Sequence, residues 1–220
     1  LDYCGFPKDE AYYLKSWWTY EPTLHIFPHW NLKGHEGDTI SVWAYSNCEQ
    51  VQLIVNGKEL EKKYVPSNGH LEWECVYEPG EIKAVGYKFG KPAKEEIIQT
   101  TDEASAVEVT ADRTEINADG TDVSIVTVCM KDASGRVVPD ACNQLTLKTE
   151  GDVKILGVGN GDPACHDPER PEDINSHEFK VKAFNGYAQV LIQSKKTAGK
   201  ASLTVSGEGI KESKIAFVLK

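Results

Sequence analysis

An alternation of apolar and polar residues at every second position dominates the chain from residue 24 onward. A period of two is typical of β-strands that turn one face toward a core. In the first half the apolar positions of this kind are Ile40, Val42, Ala44, Val51, Leu53, Val55, Leu71, Trp73 and Cys75. The pattern predicts an antiparallel, immunoglobulin-like β-sandwich of about seven strands.

The turn signals agree with this prediction. Asn56-Gly57 lies between two alternating runs, and it is a strong hairpin signal because both central residues of a tight hairpin turn need positive φ. Glu78-Pro79-Gly80 marks another turn. We therefore expect the strands to be joined by short hairpins.

A polar stretch without apolar period, residues 100–105, interrupts the pattern before a new alternation begins at Val107. We place the domain boundary there, with one sandwich at 21–102 and a second at 103–220. All five tryptophans precede the boundary, so the two halves are not copies of one repeat. Turns of the second half are expected at Asp119-Gly120, Ser134-Gly135, Asn160-Gly161 and Asn185-Gly186.

The first twenty residues are patterned differently. Pro7, followed by Asp9 and Glu10 and later by Lys15, predicts a helix from about Asp9 to Trp18. Its apolar residues cover nearly every side and form two ridges, which are Ala11, Leu14 and Trp18, and Tyr13 and Trp17. A short helix that is apolar all round needs a partner surface. We assign interdomain packing to Tyr13, Leu14, Trp17 and Trp18.

Motifs along the whole chain resemble one family in their order and spacing. They occupy residues 1–9, 12–13, 15–18, 28–31, 34, 36–37, 46–47, 53–58, 112–113, 118–122, 132–135 and 157–163. On these residues the chain resembles glycoside hydrolase family 2 enzymes of the β-galactosidase type, in the part that follows their catalytic barrel. The second half also resembles bacterial immunoglobulin-like modules of the invasin type.

The resemblance implies that residues 1–20 are a barrel-end segment, whose helix is left over from a (β/α)₈ barrel. The family's two catalytic carboxylates lie on earlier barrel strands, so it implies no catalytic residue in this chain and predicts the chain alone to be inactive. The localisation of the chain stays unknown, and we expect a periplasmic or secreted parent enzyme. The expected partner is the missing barrel, and a homo-oligomer is an open alternative.

Composition narrows the remaining function classes. The 220 residues leave room for two domains, and a net charge of −10 disfavours nucleic acid and anionic membranes as partners. No apolar run reaches the length of about eighteen residues that a membrane span needs. The six cysteines have no metal-ligand spacing and are interpreted as ordinary thiols, with Cys75 and Cys129 pointing inward and a Cys48–Cys75 disulfide as an alternative.

Trp30, flanked by His29 and Asn31, is the candidate site residue. An aromatic face between hydrogen-bonding groups suits a sugar, and the alternative is that this segment faces the barrel. His25 and His29 share a strand face, but no carboxylate completes a metal set in the sequence. We therefore expect no metal and no cofactor.

A second candidate is the glycine-rich stretch 157–162, which is interpreted as a surface loop because no helix follows to bind a phosphate. Calcium is an alternative for the nearby acidic residues, which are Asp162, Asp167, Glu169, Glu172 and Asp173. The leading hypothesis is a non-catalytic accessory region of a β-galactosidase. The alternatives are a carbohydrate-binding module, with Trp30 or Trp43 as the stacking residue, and a cell-surface interaction module.

Overall fold

The computed structural model describes all residues from Leu1 to Lys220. The chain is almost entirely β-structure, with one helix and seventeen strands, which confirms the predicted all-β class with a short N-terminal helix. It divides into two compact units. The first contains Leu1 and Pro7–Thr100, and the second contains Asp2–Phe6 and Thr101–Lys220.

The N-terminal segment divides differently from the expected 1–20, 21–102 and 103–220. Residues 1–20 form no unit of their own, because Asp2–Phe6 groups with the second unit and the helix groups with the first. The reason is that the main chain and side chains of residues 2–6 contact strands of the second unit, among them the Gln189 side chain, which donates a hydrogen bond to the Cys4 carbonyl.

The first unit is a sandwich of two antiparallel sheets. Its elements are α1 (Asp9–Trp18), β1 (Leu24–Phe27), β2 (Thr39–Ser46), β3 (Gln50–Val55), β4 (Lys58–Glu59), β5 (Lys63–Tyr64), β6 (Leu71–Val76), β7 (Glu81–Lys88) and β8 (Lys91–Gln99). One sheet has the order β1-β2-β6 and the other the order β4-β3-β7-β8, with β5 paired to β3. The core between them contains Ile26, Trp30, Val42, Leu53, Trp73 and Ile82.

The predicted alternation is confirmed in these strands. Val42 and Ala44 are buried on β2, and Leu71, Trp73 and Cys75 are buried on β6 while their neighbours are exposed. The predicted hairpin turn is also present, because Asn56 and Gly57 have φ values of 47° and 79° and join β3 to β4. Local pattern and turn chemistry therefore predict these strands and this hairpin.

The first unit has two edge strands that lie close together, β1 and β8. Glu96 on β8 connects them, because its Oε2 atom accepts the backbone N–H of Ile26 at 2.7 Å. Strand β8 is otherwise largely exposed and carries Pro92 and several charged side chains. The carboxylate thus occupies a backbone donor that an edge strand would leave open.

The second unit is a sandwich whose two sheets are joined at one side. Its strands are β9 (Ala106–Ala111), β10 (Glu115–Ile116), β11 (Val123–Lys131), β12 (Gln144–Glu150), β13 (Val153–Gly159), β14 (Glu178–Lys182), β15 (Tyr187–Ser194), β16 (Gly199–Gly207) and β17 (Ile210–Leu219). The order is β13-β15-β11-β9-β17-β16-β12-β14, with β10 beside β17. The β9–β17 junction is a parallel pairing at Ala106 and Lys211, and all the pairings in this order on either side of it are antiparallel.

Strand β13 corrects the interpretation of the glycine-rich stretch. Residues 157–159 belong to this strand, and the loop begins only at Asn160. A register shift between Ile155 and Gly157 breaks the alternation, and glycines give no apolar signal, so the strand was not apparent. The predicted turn at Asn185-Gly186 is confirmed, with φ values of 50° and 81°.

Candidate functional site

Helix α1 forms for the reasons that the sequence indicates. It begins after Lys8, which provides no side-chain cap, and Asp9 and Glu10 in its first turn and Lys15 in its last turn complement the helix dipole. The observed bounds, Asp9–Trp18, are the predicted ones. Since ten residues cannot hold a helix in water without tertiary contacts, its packing decides its stability.

One face of α1 packs on the first unit. The Tyr12 ring stacks on His25 with 3.8 Å between centroids, and the Tyr13 ring lies 5.1 Å from that of Tyr45. Ser16 is the buried residue of the helix, and its hydroxyl donates to the Tyr13 carbonyl at 2.6 Å. Sequence reasoning missed Ser16, because a small polar residue carries no apolar signal even where it allows close packing.

The opposite face of α1 is open and apolar, and we call it the outer face of α1. Its residues Leu14, Trp17 and Trp18 have exposed fractions of 44%, 37% and 80%. Leu14 and Trp18 line a shallow groove together with Ala11 and Leu1. Of the four residues assigned to interdomain packing, Tyr13 is instead directed at Tyr45 in the same unit, and the other three remain available to a partner.

His25 connects the helix to the sandwich by two charged contacts. Its Nε2 atom lies 3.0 Å from Asp9 of α1, and its Nδ1 atom lies 3.1 Å from Glu96 of β8. Burial by itself would lower the pKa of His25, but the hydrogen bonds to Asp9 and Glu96 outweigh it and raise the pKa from 6.5 to about 9. Both ring nitrogens donate to carboxylates, so the imidazolium is the form that fits this site.

Trp30 is a core residue, which corrects its interpretation as a sugar platform or barrel contact. It is 0% exposed, its indole N–H donates to the Glu78 carbonyl at 3.0 Å, and its ring meets Tyr77 edge-on at 5.0 Å. A ring whose faces are both covered cannot stack on a ligand. His29 and Asn31 are half-buried beside it, and the Asn31 backbone N–H donates to His29 Nδ1 at 3.2 Å.

Trp43, the other tryptophan considered for sugar stacking, lies on the outward side of β2. His70 stacks on its ring with 3.8 Å between centroids and 12° between planes, and its indole N–H donates to the Ser41 hydroxyl at 2.9 Å. One of its faces is therefore already occupied by a protein side chain. Trp30 provides no open platform for a sugar, and Trp43 has only one face that is not stacked on His70.

The remaining candidate groups are not assembled into a site. No group of three or more His, Cys, Asp or Glu side chains is placed to hold a metal ion, so His25 and His29 and the acidic loop residues are not brought together as ligands. The six cysteines are free thiols, and Cys75 and Cys129 are buried as predicted. Burial raises the pKa of both of these thiols. The chain contains no helix with the length and apolarity that crossing a membrane requires.

Several exposed carboxyl groups have perturbed pKa values. Hydrogen bonds from Ser41, Thr121, Lys214 and Thr197 are the main causes, and they lower the pKa values of Glu72, Asp119, Glu150 and Asp152 respectively. A lowered pKa favours the ionised form, whereas the acid of a glycosidase needs a raised one. These four groups do not have the properties of a catalytic acid.

Comparison with known proteins gives the family. Residues 107–216, half of the chain, match the model of glycoside hydrolase family 2 C-terminal domain 5, and residues 37–94 match a domain family of unknown function. A β-galactosidase of Bacteroides ovatus is 37% identical over 214 residues, which are 96% of this chain and 24% of that protein. A β-glucuronidase of Formosa agariphila is 29% identical over 216 residues, which are 96% of this chain and 21% of that protein.

A solved structure agrees with this relationship. The crystal structure of a β-glycosidase from Bacteroides vulgatus superposes with a TM-score of 0.91 at 32% identity, covering 100% of this chain and 27% of that one. The chain thus spans about a quarter of the length of the relatives that it matches. The chain belongs to glycoside hydrolase family 2, as a C-terminal accessory region of such an enzyme.

Proposed function

We propose that this chain is the non-catalytic C-terminal region of a β-galactosidase and that it supports the catalytic barrel through the outer face of α1. The observation that carries the proposal is that face itself, where Leu14, Trp17 and Trp18 are exposed side by side on a helix too short to be independent. Exposed apolar patches on a folded domain mark interaction sites.

The contacts of α1 with the first unit all lie on one side of the helix, which leaves the outer face for a partner. Tyr12, Tyr13 and Ser16 lie on the side of α1 that packs on the first unit, and the outer face lies on the opposite side. Tryptophan at 80% exposure leaves most of a large apolar ring in water. Docking of a barrel surface on Trp18 would remove that cost, and the resemblance of residues 1–20 to a barrel end supports the barrel as the partner.

The proposed reaction of the whole enzyme is hydrolysis of a terminal β-galactoside with retention. Such enzymes use two carboxyl groups, one as nucleophile and one as acid and base, and the family resemblance places both on barrel strands. The sugar is proposed from the relative with 37% identity, a β-galactosidase, while the relative with 29% identity is a β-glucuronidase. The role of this chain is to stabilise the barrel, and the chemistry belongs to the barrel.

Activity measurements test the catalytic part of the proposal. The isolated chain should show no turnover of nitrophenyl β-galactoside or nitrophenyl β-glucuronide, and the enzyme expressed from the complete reading frame should hydrolyse the galactoside. Turnover by the pure isolated chain would contradict the accessory role. Preference of the complete enzyme for the glucuronide would contradict only the sugar.

A chimera tests the supporting role. This chain replaces the matching region of the Bacteroides ovatus β-galactosidase, and Trp18→Asp is introduced into the chimera. We expect the chimera with Trp18→Asp to lose its enzymatic activity at a lower temperature, because a charge would be buried at the proposed contact. Tyr64→Asp is the matched control, since Tyr64 is similarly exposed, at 77%, but lies on β5. Equal effects of the two substitutions would refute α1 as the contact.

A further inference from the structure

The glycine-rich stretch 157–162 contacts residues 2–6 within the second unit. We propose that this stretch is a docking site for a turn of sequence Asp-Tyr-Cys-Gly-Phe, residues 2–6, which we call the N-terminal turn. The proposal gives the motif an interaction role in place of small-molecule binding. It rests on the internal geometry of the second unit, to which residues 2–6 belong.

The N-terminal turn is closed by its own hydrogen bonds, apart from its contacts with the glycine-rich stretch, which we call the socket. The Asp2 Oδ1 atom accepts the backbone N–H groups of Cys4 at 2.8 Å and Phe6 at 2.9 Å. The Gly5 N–H donates to the Asp2 carbonyl at 3.1 Å, and the Asp2 N–H donates to the Phe6 carbonyl at 3.0 Å. A turn closed by four hydrogen bonds loses little further entropy when it docks.

The glycines of the socket provide the space that the turn occupies. A Cβ atom on Gly159 would lie 2.7 Å from the Cys4 sulfur, and a Cβ atom on Gly161 would lie 2.0 Å from the Asp2 Oδ2 atom. Gly161 also has a φ of +78°, which side chains other than glycine rarely adopt. Glycine at 159 and 161 therefore leaves the room that the turn occupies.

Two contacts from β15 hold the rest of the turn. The Gln189 side-chain amide donates to the Cys4 carbonyl at 2.8 Å, and the Phe6 ring lies 5.2 Å from the Tyr187 ring. Strand β15, which carries both residues, is hydrogen-bonded to β13, which carries Gly159, and Gly159 pairs with Gln189. The socket thus supplies shape, one amide donor and one aromatic contact, a set that fits a peptide turn.

The docking also has a consequence for the whole enzyme, and this consequence rests on the proposed function. Residues 2–6 immediately precede α1, which that proposal assigns to the end of the barrel. Holding the N-terminal turn on the second unit would fix the chain at the exit of the barrel to the most C-terminal sandwich. The docking itself is independent of the barrel and is testable in the isolated chain.

The rate of alkylation of Cys4 by iodoacetamide, followed by mass spectrometry of its peptide, reports docking. We expect Cys4 to react about tenfold more slowly than the exposed Cys142, because the docked turn must open first. Gly161→Ala and Gln189→Ala should each raise the Cys4 rate toward that of Cys142. Gly135→Ala is the matched control, since Gly135 has a φ of +80° but nothing within 4 Å of its Cβ position.

The alkylation rate of the buried Cys129 distinguishes release of the turn from unfolding of the chain. Cys129 should stay unreactive in every variant that is folded. If Gly161→Ala makes Cys129 reactive, Gln189→Ala decides, because it removes one hydrogen bond to the turn and leaves the glycines of the socket unchanged. A Cys4 rate equal to that of Cys142 in the unaltered chain would overturn the proposal. An unchanged Cys4 rate in folded variants would overturn it as well, whatever the outcome with the chimera.

Discussion

His25 shows how one side chain can join three elements. It belongs to β1, and it is held by a carboxylate of α1 and by a carboxylate of β8, with its ring stacked on Tyr12. Only 15% of the side chain is exposed, so the charges are partly shielded from water. The same contacts that raise its pKa also stabilise the attachment of the helix.

This attachment predicts a pH dependence of stability. Because the folded-state pKa of His25 is raised from 6.5 to about 9, its contribution is complete below pH 6.5 and is lost as the pH rises through about 9. Allowing for screening at the half-exposed Asp9, we expect about 2 kcal/mol. His25→Gln should therefore lower the free energy of unfolding in urea at about pH 6 and have little effect at about pH 10.

His35→Gln is the control for this measurement. His35 also contacts an acidic side chain, Asp38 at 2.9 Å, but both side chains are more than half exposed. Its substitution should change the free energy of unfolding by a few tenths of a kcal/mol or less at either pH. A destabilisation by His25→Gln that is equal at both pH values would show that the histidine acts through packing alone.

Trp30 and Trp18 have opposite roles in the isolated chain. Trp30→Ala should reduce the free energy of unfolding by about 3–5 kcal/mol, because it empties a fully buried site and removes the indole hydrogen bond to the Glu78 carbonyl. Trp18→Ala should change it by about 0.5 kcal/mol or less, since the ring is exposed. Urea titration followed by far-ultraviolet circular dichroism measures both, and similar losses would contradict the difference in burial between Trp30 and Trp18.

At the scale of elements, hairpin turns differ in how much their neighbours restrict them. Gly186 has a φ of +81°, and a Cβ atom there would lie 2.3 Å from the Val138 carbonyl oxygen. Gly209 has a φ of +68° and nothing within 4 Å. We expect Gly209→Ala to cost about 1 kcal/mol from the backbone alone and Gly186→Ala to cost at least about 2 kcal/mol. Equal melting temperatures of the two variants would contradict this difference.

The sequence predicts those helices and strands that are determined by residues close together in the chain. Alternation identified β2 and β6, Asn56-Gly57 identified a hairpin, and charge placement identified α1 to the residue. Strand β13 was missed because its glycines and its register shift hide the period. The direction of Trp30 was missed because it follows β1 in irregular backbone, where no period relates it to a sheet face.

The candidate site was predictable only in part for the same reason. The apolar ridges of α1 were recognised, but which ridge meets the sandwich depends on Tyr45 and His25, which lie on separate strands. The docking of the N-terminal turn depends on Gln189, 185 positions from Cys4 in the chain. No local pattern relates residues so distant, and only the folded topology brings them together.

At the scale of the molecule, each unit has its own hydrophobic core, and all five tryptophans belong to the first. Tryptophan fluorescence therefore reports the first unit, while circular dichroism reports both. Leu147→Ala in the second core should cost about 2–5 kcal/mol and shift the far-ultraviolet transition while the fluorescence midpoint stays in place. A joint shift of both signals would show that the units unfold as one.

Strand β8 has a consequence for how the molecule behaves at high concentration. An exposed edge strand can pair with a strand of another molecule, because its outer backbone groups are unpaired. A proline has no amide hydrogen to donate to such pairing. Pro92, together with the lysines and glutamates around it, makes this edge an unsuitable template for fibrils. We accordingly expect self-association to proceed through the exposed apolar residues of helix α1, reversibly and with sensitivity to detergent, and not by addition of strands to β8.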